Sequence, residues 1–328
     1  MSTARLVPRI IPEDHIRQAV GLDKEALAVI RRAFAALAEG KVEMPPVMRL
    51  DVPAHNGEMD TKTAYIEGLP YFALKISCGF FDNPARGLPS LGGMMALFES
   101  ETGQPVAVLL DNGYLTDIRT ALAGALAADY LARDDVARIG VIGTGQQARL
   151  QIAALRLVRN VSHVRVWGRG RAQCDSYCAD MAATYGIDVD VCDDIESLVR
   201  DSDLVVTTTP ATSPLIKADW LHPGLHITAM GSDAPEKNEL DPYALLRADL
   251  YVCDHHEQCR TLGELNHGVA SGIIPPDDFP LTALGMIAAG EKPGRQNKDQ
   301  VTICDLTGTG AQDTAIANYA CRLMFEDG

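Results

Sequence analysis

The sequence predicts an α/β fold in which a doubly wound parallel sheet is joined to an α+β portion. Three observations carry that expectation. From Arg138 onward, short apolar runs alternate with helical segments. The residues before that point read as strands and two helices, with a hairpin between the last two strands. A glycine-rich turn links the first of the later apolar runs to a helix. At 328 residues the chain is about twice the common domain length of roughly 150, so two domains are expected, and an apolar fraction of 47% supplies two cores.

Residues 24–39 set Leu27, Ile30, Phe34 and Leu37 at steps of three and four, which makes one apolar helix face to cover a sheet. Past Met44-Pro45-Pro46 the chain turns strand-like at 71–77, 92–99 and 104–111, with Glu101-Thr102-Gly103 closing the hairpin. An alanine-rich helix spans 116–131, and the domain boundary is expected near Asp134. The runs at 138–142, 163–167, 187–191, 203–208, 225–230 and 249–253 are the strands of the parallel sheet, and a final helix at 310–324 returns to the first domain.

A net charge of −15 without a long basic run argues against nucleic acid or an anionic membrane as partner. Charged or glycine residues interrupt every apolar stretch before the roughly 20 residues that span a bilayer. Residues 1–15 lack the apolar core of a signal peptide, and eight scattered cysteines with no CxxC pair suit a reducing compartment, so a cytoplasmic protein without disulfides is expected. The run Cys253-Asp254-His255-His256-Glu257-Gln258-Cys259 matches no common zinc spacing, and no metal is expected.

The buried run Arg138-Ile139-Gly140-Val141-Ile142 enters Gly143-Thr144-Gly145-Gln146-Gln147-Ala148, followed by a helix over 149–158. This is a GxGxxA turn in Rossmann context. Gly143 permits the tight turn, Gly145 lets a pyrophosphate approach the backbone, Ala148 lets the helix pack closely, and the helix start faces the phosphates. The next strand ends Val166-Trp167-Gly168-Arg169-Gly170-Arg171 with no acid before Asp175. An acid there would bind the ribose hydroxyls of NAD, whereas two guanidiniums suit a 2′-phosphate, so NADP(H) is favoured and NAD(H) is the alternative.

A small amino acid or imine substrate needs cations for its carboxylate and an acid or base near its nitrogen. Arg49, Lys75 and Arg119 are the cationic candidates, although a strand lysine can snorkel and Arg119 can pair with Asp117. Asp233, just beyond the apolar run 225–230, falls at the carboxyl end of a strand where ligands of open sheets bind, or else serves as a turn or cap. Thr208, Met230 and Ser232, at or just beyond strand ends, are assigned to the cofactor.

Together Thr116-Asp117-Ile118-Arg119-Thr120-Ala121, residues 142–148, Met230-Gly231-Ser232-Asp233 and Leu306-Thr307-Gly308-Thr309-Gly310-Ala311-Gln312-Asp313 resemble the ornithine cyclodeaminase/mu-crystallin family across almost the whole chain. Residues 68–97, with Cys78-Gly79-Phe80-Phe81-Asp82-Asn83, resemble its ectoine- and hydroxyectoine-utilisation subgroup. The resemblance implies a Rossmann domain (134–305) inserted into a substrate-binding and dimerisation domain (1–133 with 306–328), and a homodimer. It implies that Arg49, Lys75 and Arg119 hold the substrate carboxylate, that Asp233 and Lys75 are catalytic, and that the enzyme is an imine reductase or amino acid dehydrogenase. The alternatives within the family are a cyclodeaminase releasing ammonia and a non-catalytic NADPH binder like mu-crystallin. Cyclodeaminases carry a glutamate between the positions of Arg49 and Lys75; Glu58 is the candidate here, and ornithine is a doubtful substrate. A hydroxy-acid dehydrogenase would need a histidine acid/base, with His226, His255, His256 and His267 as candidates.

Overall fold

The computed structural model describes residues 7–275 and 279–326. The chain divides into two compact units, residues 1–119 with 309–328 and residues 120–308. The division falls inside the alanine-rich helix, earlier than Asp134.

The first stretch runs β1 (Arg9–Pro12), α1 (Glu13–Ala19), α2 (Lys24–Ala38), β2 (Val42–Glu43), β3 (Met48–Val52), β4 (Gly57–Ile66), β5 (Tyr71–Phe80), β6 (Leu91–Glu99), β7 (Pro105–Leu110) and α3 (Tyr114–Leu131). There follow β8 (Ile139–Ile142), α4 (Gln146–Leu155), β9 (His163–Trp167), α5 (Arg171–Tyr185), β10 (Asp188–Val191), α6 (Ile195–Arg200), β11 (Leu204–Thr207), β12 (Thr212–Ile216), β13 (His226–Ala229) and β14 (Asn238–Leu240). The chain ends with α7 (Pro242–Arg247), β15 (Leu250–Cys253), α8 (His256–Cys259), α9 (Gly263–Ala270), β16 (Thr282–Ala283), α10 (Leu284–Ala288), β17 (Thr302–Asp305) and α11 (Gly310–Glu326).

In the first unit, the strands form one sheet in the order β1-β7-β6-β5-β4-β2, with β3 also on β4. All pairs are antiparallel except β1 with β7. Residues opposite each other across such a pair share a face. One face therefore carries Ala64, Ala73, Met95, Leu97, Ala107 and Leu109, all buried. Helix α11 lies over β4 and β5 and packs on α2, which buries Leu27, Ile30 and Phe34. The helix is pinned by polar contacts to the strands. Thr314 Oγ1 donates to Ala64 O at 2.7 Å and accepts from Ala73 N at 3.1 Å, and Asn318 Nδ2 donates to Tyr71 O at 2.8 Å. Its first residue must be glycine, because a Cβ on Gly310 would sit 2.3 Å from the carbonyl oxygen of Thr63.

The strand-like reading of the first stretch missed β3 and β4. The reason is visible in β4, where Glu58, Asp60 and Lys62 occupy alternate positions and break the apolar rhythm of a half-buried strand. The opposite face of the sheet is apolar and open, with Leu74, Ile76, Phe80, Met94, Phe98 and Val108 only partly buried and Leu50 exposed.

The second unit holds an eight-stranded, wholly parallel sheet ordered β10-β9-β8-β11-β13-β17-β15-β16. Strands β8, β11 and β13 are buried along their full length, as a sheet covered on both faces requires. The chain runs outward from β8 to β9 and β10 on one side and to β11 and β13 on the other. The carboxyl ends of β8 and β11 thus mark the switch point where such sheets bind ligands. Strand β17, inserted between β13 and β15, is a four-residue run that the sequence reading did not mark.

Candidate active site

Strand β8 delivers Gly143 at φ +119°, a conformation open only to glycine, and a Cβ there would also lie 2.5 Å from Thr208 Oγ1. Gly145 is exposed with nothing within 4 Å of the place a Cβ would take. It is the N-cap of α4 and no side chain caps the helix, so the first-turn amides remain available to an anion. Gln146 and Gln147 begin that turn, and Ala148 is fully buried, accepting on its carbonyl from Tyr177 Oη at 3.3 Å. Arg149 folds back to donate to Thr144 O at 2.5 Å, fixing the loop from below. A turn of this shape fits a dinucleotide pyrophosphate.

Strand β9 ends beside this turn, where a Cβ on Gly168 would meet Thr144 Cγ2 at 2.7 Å. Arg169 and Arg171 are both exposed, and Arg171 Nε pairs with Asp175 Oδ1 at 2.9 Å in a surface contact that costs little to exchange. At the ends of β11 and β13, Thr208 N donates to Ile142 O at 2.9 Å, and Met230 is buried. Ser232 is buried with its hydroxyl donating to Lys237 O. Asp233 is half exposed, its Oδ1 2.6 Å from Lys237 Nζ.

In the first unit, Lys75 and Arg119 meet at Asp313 on α11. Lys75 Nζ lies 2.9 Å from Asp313 Oδ2 and Arg119 Nε lies 3.0 Å from Oδ1. Lys75 is 3% exposed, Arg119 5% and Asp313 0%. Arg49 stands on the same face of the sheet, since it opposes Asp60, two residues along β4 from Lys62, and Lys62 opposes Lys75. Its guanidinium pairs with Glu58 at 2.6 Å and Asp51 at 2.9 Å. Arg119 Nε, both oxygens of Asp313, Asp111 Oδ1 and Gln312 Nε2 are buried with no hydrogen-bond partner among the described residues. The Arg119 and Asp313 atoms among these are the ones that make the two ion pairs.

The profile of the ornithine cyclodeaminase/mu-crystallin family matches residues 12–323. The chain belongs to that family. It is 51% identical over 314 residues to an uncharacterised cyclodeaminase of Sinorhizobium fredii, covering 95% of this chain and 94% of the relative. Among solved structures it is similar to an archaeal alanine dehydrogenase dimer with bound NAD (34% identity, TM-score 0.89, 98% of this chain and 97% of that one). It is also similar to the Thermococcus litoralis Delta(1)-pyrroline-2-carboxylate reductase in complex with NADH and L-proline (28% identity, TM-score 0.91, 98% of each chain). The chain is an enzyme of this family, one whose members include reductases, dehydrogenases and cyclodeaminases.

Within this family member, burial pushes the Lys75 ammonium down to about 7; Asp313 opposes that shift, and Arg119 and Lys62 add to it. Burial works against the Asp313 charge as well, but Lys75, Arg119 and Lys62 hold its carboxyl below the usual range. Arg119 thus pairs with Asp313, where the sequence had offered Asp117. Asp313 closes the Leu306–Asp313 motif, and its only sequence signal is an acid one turn into a helix that opens on Gly310. Glu239 was missed entirely. Its buried carboxylate accepts from Thr207 Oγ1 (2.6 Å), Thr209 N (2.6 Å), Thr209 Oγ1 (2.7 Å) and Gly231 N (2.8 Å). That one side chain ties the loop after β11, with Thr208, to the loop after β13, with Met230 to Asp233.

The histidine alternative loses its first candidate. His226 is fully buried at the amino end of β13, away from the switch point, with its ring nitrogens bonded to the hydroxyls of Thr302 and Thr228. Burial pushes its pKa down to about 3, so it does not carry a proton near neutral pH. His255 and His256 form the N-cap and first residue of α8. Among the described residues no group of three or more His, Cys, Asp or Glu is arranged to hold a metal, and no helix is long and apolar enough to cross a membrane. All eight cysteines are free thiols.

Replacing Asp313 by Asn removes the largest influence that holds Lys75 charged, so the Lys75 midpoint is expected to fall below its value in the parent protein. Leaving two buried cations without their counter-ion is also expected to cost about 3–5 kcal/mol of stability. The check is the pH titration of the Lys75 side chain by NMR of isotopically methylated lysines, assigned with Lys75→Gln, alongside a urea midpoint. Asp313→Glu, which keeps the charge, should restore both in large part, and an unshifted midpoint in Asp313→Asn would contradict this reading.

Proposed function

We propose that the protein is an NADP(H)-dependent imine reductase or amino acid dehydrogenase acting at the carbon–nitrogen bond of a small amino acid or its imine. The observation that carries this reading is the buried cluster of Lys75, Arg119 and Asp313, in a chain that also presents an uncapped GxGxxA turn. Relatives named for alanine dehydrogenation and for reduction of a cyclic imino acid support the reaction class.

On this reading Lys75, Arg119 and Arg49 hold the substrate carboxylate, exchanging part of their contact with Asp313 and Glu58 for it. Charge-assisted bonds of this kind orient a planar carboxylate as well as bind it. Asp233 gives or takes the proton on nitrogen, and Lys75, with its ammonium poised near neutrality, is the second proton carrier. Gly143, Thr144, Gly145, Gln146, Gln147 and Ala148 hold the pyrophosphate, with Thr208, Met230 and Ser232 lining the cofactor beyond it. The dinucleotide supplies or accepts the hydride. Arg169 and Arg171 favour the 2′-phosphate, although the two similar structures hold NAD and NADH. Residues 1–133 with 306–328 would then be the substrate and dimerisation domain and 134–305 the dinucleotide domain.

The open apolar face of the first unit's sheet supports a homodimer, because a second copy would cover Leu50, Ile76 and Phe98, and the similar alanine dehydrogenase is described as a dimer. The likeness of residues 68–97 to the ectoine-utilisation subgroup supports a substrate from ectoine breakdown, and the free thiols support a cytoplasmic enzyme.

In Asp233→Asn, turnover is expected to fall by about 100-fold or more while NADPH quenching of tryptophan fluorescence is unchanged. A variant that turns over like its parent would remove Asp233 from the chemistry. Substituting both Arg169 and Arg171 by Ser is expected to weaken NADPH roughly tenfold to a hundredfold and to leave NADH nearly untouched. Equal losses for both cofactors in a binding titration would refute the phosphate role.

A further inference from the structure

Lys237 has no task in the reading above, yet the turn from Gly231 to Lys237 is built around it. An ion pair on a surface is ordinarily worth little, because water solvates both ends. This pair is lopsided. The Asp233 side chain is 52% exposed, whereas that of Lys237 is only 15% exposed with its ammonium 2.6 Å from the carboxylate. An ammonium that has given up most of its water is costly unless an opposite charge is held close to it.

The backbone that carries Lys237 is fixed from several sides. Its carbonyl accepts from the Ser232 hydroxyl and, at 2.8 Å, from His267 Nε2 on α9; a carbonyl only accepts, so Nε2 of that ring carries a proton. Its amide donates to Ala234 O at 3.1 Å, closing the turn, and Asn266 Nδ2 donates to Pro235 O at 3.2 Å. The next residue opens β14, where Asn238 N donates to Ala211 O at 2.7 Å and Asn238 Nδ2 to Glu264 Oε2 at 2.7 Å. At the other end of the turn, Gly231 N donates to Glu239. Lys237 therefore reaches back to Asp233 from a backbone with little freedom. The other charged or titratable groups around this turn are Glu236 within it, Glu239 bonded to Gly231, Glu264 behind Asn238, and His267.

We propose that Lys237, held by His267 and Ser232, is the positioning residue that keeps Asp233 ionised and in one place, so that Asp233 meets an amino acid substrate as a base. This rests on the proton-carrying role given above to Asp233. In the oxidative direction the substrate arrives as an ammonium. Its C–H electron pair leaves as hydride only once nitrogen has a lone pair with which to form the C=N bond. Asp233 takes one N–H proton and becomes a carboxylic acid, while nitrogen keeps the bonding pair; in the reductive direction the same proton returns to the new amine. An ammonium beside the carboxylate suits that order, because it disfavours protonation from solvent before the substrate is bound.

The test follows reduction of NADP⁺ or NAD⁺ across pH with whichever of alanine, 2-aminobutyrate, valine and proline the parent protein oxidises fastest. The variants are Lys237→Met, Lys237→Arg, Asp233→Asn and the double variant Asp233→Asn/Lys237→Met. Lys237→Met should lower kcat about tenfold or more and move the acid limb of kcat/KM to higher pH by about one unit, with NADPH quenching of tryptophan fluorescence unchanged. Lys237→Arg should restore most of the rate and the parent limb. In the Asp233→Asn background Lys237→Met should cost nothing further, because the lysine acts through the carboxylate. A Lys237→Met protein with the parent rate and acid limb, or with equal losses in both backgrounds, overturns the inference and leaves the reaction standing if Asp233→Asn is slow. An Asp233→Asn protein as fast as its parent defeats the reading of Asp233, and a parent that oxidises none of the four defeats the proposed reaction; in either case the inference falls with it.

Discussion

The contact of Asp313 with Lys75 and Arg119 is the constraint around which the first unit is organised. Two cations with almost no exposure cannot remain charged without a counter-ion, and the counter-ion comes from the last helix of the chain. That helix reaches its place only because Gly310 can touch the backbone of Thr63 and because Thr314 and Asn318 bond to the strands beneath. The return of the C-terminal segment is thus a requirement of the charge arrangement as much as of hydrophobic packing. The same arrangement keeps Lys75 near the midpoint of its titration, where a small change in its surroundings changes its charge.

The second unit solves a different problem with the same means. Its glycine turn must be open, so it carries no side-chain cap, and its stability comes from below through Arg149 and from the side through Thr208. The loops beyond β11 and β13 are held by a single buried carboxylate, Glu239, whose four donors offset the cost of burying it; burial nonetheless pushes its pKa up. Both units therefore use a buried acid to hold other groups in place, and in each the acid is supplied by an element other than those it holds.

This explains what could be read from the sequence and what could not. The strand, turn and helix around Gly143 are local, each step following from neighbours, and the parallel sheet follows from repeated short apolar runs. Strand β4 was not legible because its inward residues Glu58, Asp60 and Lys62 are charged, which is the opposite of the pattern that marks a half-buried strand. The pairing of Arg119 with Asp313 spans most of the chain, and no local rule separates it from a pairing with Asp117 two residues away. Glu239, in a three-residue strand, offers no periodicity at all. The parts that sequence reasoning missed are largely the parts where charge was put inside the protein.

Membership of a family that includes reductases, dehydrogenases and cyclodeaminases leaves the outcome of the reaction to be decided by what this chain places around the substrate nitrogen. The account holds that carbon–nitrogen chemistry here is a net redox change on a substrate gripped by its carboxylate. The most direct measurement follows the nicotinamide absorbance and free ammonia together while the purified protein meets NADPH with 2-oxo acids and ammonia, and then NADP⁺ or NAD⁺ with diamino acids. The account predicts stoichiometric loss of NADPH matched by ammonia uptake and formation of an amino acid. Release of ammonia from a diamino acid with no net change in absorbance, and no consumption of NADPH with any 2-oxo acid, would contradict it.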